Sequence, residues 1–138
     1  MKQIEKDFIE SWNLIENFYQ GYNDDKRPFN LDALRLIKEM RNLGLDKDLR
    51  TGQSLWFLLL SRNRNHGLDK EPHLQITFLG ENKMVINSNF NGEKVSKEIE
   101  VNYKGYFEDM INKLLKEKTT WNDYDIDTDP LLDLFNNE

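Results

Sequence analysis

The sequence predicts an α+β domain: a helical N-terminal half, a three-stranded antiparallel meander, then a covering helix and a short C-terminal helix. Three observations carry this. Apolar residues recur every three or four positions up to about residue 43 and again after Gly105. Between Pro72 and Val101 they alternate with polar ones, the period of a half-buried strand. Turn residues punctuate each change of period.

Residues 4 to 20, IEKDFIESWNLIENFYQ, place Ile4, Phe8, Ile9, Trp12, Ile15, Phe18 and Tyr19 on one helical stripe. GYNDDKRPF follows and reads as a loop. A second helix is expected from about Asn30, with Asn30 as N-cap and Asp32 at the positive end of the dipole. Leu31, Leu34, Ile37 and either Met40 or Leu43 form its stripe, and Gly44 ends it.

RTGQSLWFLLLSRNRNHG, from Arg50 to Gly67, contains six consecutive apolar residues, none of them β-branched. This composition predicts a central helix over 52–65, capped by Thr51 or Ser54 and covered on all sides. HLQITFL and MVINSNF then read as two strands joined by a turn at GENK. Asn91-Gly92 is a hairpin signal, because both residues tolerate the positive φ of a type I′ turn. EKVSKEIEV forms the third strand, with Val95, Ile99 and Val101 on one side and Lys97 as the exception. Strand order 1-2-3 is the simplest arrangement. GYFEDMINKLLKEK returns to helical spacing through Phe107, Met110, Ile111, Leu114 and Leu115. Asp129-Pro130 opens the short terminal helix.

The chain has 138 residues and no cysteine, which excludes disulfides, thiol catalysis and thiolate metal sites. Charges interrupt the N-terminus MKQIEKDFIESW, so neither a leader peptide nor a spanning helix is expected, and the expected location is cytoplasmic with no membrane contact. Residues 1–121 form the expected single domain and 122–138 an acidic segment, docked or partly ordered. Of 25 acidic residues, six lie in 122–138, which holds no Lys or Arg; 19 acids and 19 bases remain in 1–121. A neutral body with an acidic end argues against nucleic acid and for a basic protein partner.

In that segment the aspartates alternate with large apolar groups. Asp123, Asp125, Asp127 and Asp129 would steer and pair with Lys or Arg, while Trp121, Tyr124 and Phe135 would be buried in the partner. The spacing imitates a calcium loop but fails it, since counting from Asp123 puts Thr128 sixth and Leu134 twelfth. Arg50, Arg62, Arg64 and His66 are the alternative, a cluster for a small anionic ligand. The competing structural reading has the basic groups closing a helix end beside Gly67.

His66, Asp69, Glu71 and His73 lack the spacing of a helix-borne metal site, and neither GxxxxGK[ST], GxGxxG nor GxSxG occurs. No metal, cofactor or catalytic residue is therefore assigned. The expected function is non-catalytic binding of another protein, most concretely as an immunity-type inhibitor of a basic toxin. Small-anion binding or turnover, and a structural subunit of a homo-oligomer, are the alternatives.

Overall fold

The computed structural model describes residues 2–21, 29–62 and 71–117, the side chain of Phe29 excepted. In chain order these form α1 (Gln3–Gly21), α2 (Phe29–Asn42), β1 (Arg50–Ser54), β2 (Phe57–Ser61), β3 (His73–Gly80), β4 (Lys83–Ser88), β5 (Val95–Glu100) and α3 (Tyr106–Leu115). The strands form one five-stranded sheet in the order β1-β2-β3-β4-β5, with every neighbour antiparallel. The chain is therefore α+β, with a meander two strands wider than the sequence predicted.

The extra strands come from the stretch expected to be a helix over 52–65. It is a hairpin instead: Arg50 faces Ser61, Thr51 faces Leu60 and Ser54 faces Phe57 across a loop of Leu55 and Trp56. The apolar run divides between this loop and β2. Leu58 and Leu60 point into the core, while Phe57 and Leu59 lie half-buried on the other face. Burial of Leu58 and Leu60 in the core and pairing of β2 with strands on both sides override the helix propensity of leucine. Thr51 and Ser54, expected as helix caps, are strand residues.

All three described helices pack on one face of the sheet. Leu58, Leu60, Leu74, Ile76, Phe78, Met84 and Ile86 supply that face. α1 contributes Trp12, Ile15 and Tyr19, spaced as the helical period requires. In α2 the buried stripe is Ala33, Leu36, Ile37 and Met40, while Leu31 and Leu43 are exposed. Ile37 and Met40 of the expected stripe are thus buried and Leu34 packs against them, but the stripe is centred toward Ala33 and Leu36, because Leu31 heads the helix on the solvent side. Asn30 is fully buried within the helix's first turn rather than capping it from outside. Gly44, at φ 84°, does end the α2 segment, passing it into a short 3₁₀ turn, Leu45–Lys47.

β3 and β4 form the expected hairpin. Glu81 and Asn82 sit at φ 54° and 61° between the paired Gly80 and Lys83, as a two-residue type I′ loop demands. Asn91-Gly92 does not make such a loop. Both residues have positive φ, yet they lie in a 3₁₀ turn, and pairing resumes only at Ser88 and Val95. β5 carries Val95, Lys97 and Ile99 opposite Ser88, Ile86 and Met84, the side assignment expected from the alternation. Lys97 fits there because its ammonium lies 4.4 Å over the Tyr106 ring. α3 covers the sheet with Phe107, Met110, Ile111 and Leu114. The proposed terminal helix at Asp129 lies outside the described residues. Among those described, no helix is long and apolar enough to cross a membrane.

Candidate functional site: the groove between α1 and β1

β1 is an edge strand, and α1 is tied along it by three buried or half-buried contacts. The Trp12 indole Nε1 donates to the Leu49 carbonyl at 2.8 Å, just before the strand. Midway, the Thr51 amide donates to Ser11 Oγ at 3.0 Å and Thr51 Oγ1 donates to the Ser11 carbonyl at 2.8 Å. At the hairpin tip, the Tyr19 hydroxyl donates to the Trp56 carbonyl at 3.1 Å. From the Ser11–Thr51 contact to the Tyr19–Trp56 contact both segments advance, so α1 runs broadly parallel to β1. A helix is rounded and a strand edge is flat, and the two leave a furrow on their outer side.

That furrow is an open groove of about 520 Å³. Asp7, Glu10, Leu14 and Phe18 line it from the helix, Arg50 and Gln53 from the strand. Two carboxylates against one guanidinium leave the lining with an excess negative charge. Burial lowers the pKa of Arg50 and the neighbouring Asp7 carboxylate opposes that shift, so the guanidinium stays cationic and is held partly out of water. Apolar groups occupy the other end. Leu14 is 61% exposed, and Phe18 packs on Trp56 with ring centroids 5.4 Å apart.

Leu55 stands at the tip of the hairpin, 73% exposed and at φ 54°. With only the first loop residue at positive φ, the loop has the form of a type II′ turn, whose first position usually takes glycine. The Gln53 side-chain amide donates to the Leu55 carbonyl and helps hold the loop. A large apolar side chain is therefore kept in a costly backbone conformation while facing water.

The sequence-predicted arginines separate. Arg50 lines the groove, whereas Arg62 reaches α3, where its Nη1 donates to the carbonyls of Leu115 at 2.7 Å and Glu117 at 2.9 Å. Arg62 thus closes the end of α3, remote in sequence; the 52–65 helix that these basic groups were expected to close is a hairpin instead. Arg64 and His66 lie outside the described residues, so the anion-binding cluster is represented only by two arginines that serve different elements. Trp121, Asp123, Tyr124, Asp125, Asp127, Asp129 and Phe135 also lie outside them.

Among the described residues, no group of three or more His, Cys, Asp or Glu could hold a metal ion. His73 opens β3 with its Nδ1 2.8 Å from the Glu71 carbonyl, a contact that requires the proton on Nδ1. The Asn89 side chain accepts from the His73 amide and donates to the same Glu71 carbonyl, so this corner is tied together by structure-forming bonds.

Sequence reasoning missed the groove. Its one legible signal was Leu14, a leucine off the apolar stripe of α1; the second wall came from a segment read as helix. No family model matches the chain, and no curated protein or solved structure matches it.

Proposed function

We propose that this chain is a non-catalytic cytoplasmic protein that binds another protein with a basic surface, most concretely as an immunity-type inhibitor that masks a basic toxin. The observation that carries this reading is the placement of charge: six acids and no base in residues 122–138, after a body with equal numbers of each. Long-range attraction by Asp123, Asp125, Asp127 and Asp129 raises the rate of encounter, and Trp121, Tyr124 and Phe135 supply the area that slows dissociation. One feature of the fold favours it: α1 adds four acids against one base to the same sign of charge.

Affinity capture from native lysate tests the reading, using the full chain and a variant with Asp123, Asp125, Asp127 and Asp129 all changed to Asn. The expected result is a basic protein retained by the parent chain, released by molar salt and retained poorly by the variant. Retention that ignores both salt and the four substitutions, or no retained protein at all, overturns it.

A further inference from the structure

We propose that the α1–β1 groove is a docking site for a partner segment that presents a large apolar side chain between lysines or arginines. The inference extends the protein-binding reading to a second surface, and it does not depend on residues 122–138.

Four observations converge on one occupant. The groove is lined by apolar surface at one end, from Leu14 and Phe18, and at the other by the Asp7 and Glu10 carboxylates with the Arg50 guanidinium, an excess of one negative charge. An apolar anchor flanked by positive charge matches both ends at once, whereas an acidic segment would meet like charge. Leu14 is an exposed leucine in the lining of the furrow. Leu55 is a second exposed leucine at the hairpin tip, two residues beyond the lining residue Gln53 and next in sequence to Trp56, which packs on the lining residue Phe18. Large apolar groups that surround a concave site and face water in the free chain are the usual source of binding energy once a partner covers them.

The third observation is the backbone of Leu55. Glycine would occupy φ 54° without strain, and folding gains little from leucine there because the side chain is mostly exposed. Partner contact supplies the missing return. The fourth is the rigidity of the site. Ser11–Thr51, Trp12–Leu49 and Tyr19–Trp56 hold the two walls in a fixed relation, so little order has to be imposed on binding.

The test is a titration of the full ¹⁵N-labelled chain with the acetylated, amidated peptide Lys-Leu-Lys-Phe-Lys, followed by amide shifts, with Glu-Leu-Glu-Phe-Glu as the control. The lysine peptide should move the amides of residues 7–18 and 50–56, and the glutamate peptide should not. Leu14→Ala and Glu10→Lys change exposed side chains and should each weaken the lysine peptide by about tenfold, with the remaining spectrum unchanged. Equal response to both peptides, shifts confined to another surface, or indifference to both substitutions overturns the proposal. Shifts of the same amides with protein concentration alone would assign the groove to a second copy of the chain. Shifts of those amides on Phe135→Ala, without peptide, would assign it to the chain's own C-terminal segment. Either result replaces the proposed occupant. Loss of capture by the four Asp→Asn changes with peptide binding intact separates the two readings.

Discussion

Thr51 donates two buried hydrogen bonds to Ser11, 40 residues away: its amide to Ser11 Oγ, and its Oγ1 to the Ser11 carbonyl. A helix side chain thereby satisfies an outward-facing amide of the edge strand, a group that would otherwise be left to pair with another chain. Ser11 Oγ also donates to the Phe8 carbonyl, which fixes its lone pairs toward Thr51.

Ser11→Ala should therefore destabilise the fold by about 1–3 kcal/mol, because it strands a buried N–H. Thr51→Ser keeps the hydroxyl and should cost less. Urea unfolding of the two variants checks the order. Equal, negligible losses would mean that water reaches the Thr51 amide and that α1 is not locked to β1.

Arg62→Ala should cost about 2 kcal/mol, since it removes charge-assisted bonds to two carbonyls at the end of α3. Hydrogen exchange locates the effect. Amides of the last turn of α3 should exchange faster, while those of β3 and β4 change only with global stability. Arg62→Lys should recover part of the loss through the charge alone.

Leu55→Gly should raise stability by about 1 kcal/mol, because it relieves the positive φ and uncovers little buried surface. Thermal or urea unfolding measures it. A fall in stability would show that the leucine is supported by its neighbours. The same variant should weaken the lysine peptide, separating the contribution to binding from the contribution to folding.

Alkaline pH should destabilise the protein through Tyr19. Burial raises its phenol well above the ordinary value of about 10, and the hydroxyl donates to the Trp56 carbonyl. The folded state then holds its proton where the unfolded state has lost it. This contribution is complete below pH ~10 and declines as pH rises from there toward the folded-state value. Tyr19→Phe should be less stable than the parent near neutrality and should lose less between pH 9 and 11. Some slope should remain from Tyr103, which is raised by burial first and then by Glu108 and Glu39.

α1, α3 and the β3–β4 hairpin were legible because each buries one face only. Trp12, Ile15 and Tyr19 on the helix, or Leu74, Ile76 and Phe78 on the strand, repeat at the element's own period. β1 and β2 were not legible. Their hairpin turns through Leu-Trp rather than glycine or asparagine, and β2 is apolar on both faces, so neither a turn signal nor an alternation survives. The candidate site was lost with them: Arg50 could be named, but not the helix it faces.

The sequence by itself determined the α+β class, the helical stripes, the alternating strands and the concentration of acid after residue 121, because these follow from local periodicity and charge. Tertiary structure alone decided the sheet's width, the separate duties of Arg50 and Arg62, and the groove between α1 and β1. Each depends on which distant segments meet, as Ser11 meets Thr51 and Arg62 meets Leu115, and burial and hydrogen-bond satisfaction across those meetings outweigh the preference of any single stretch.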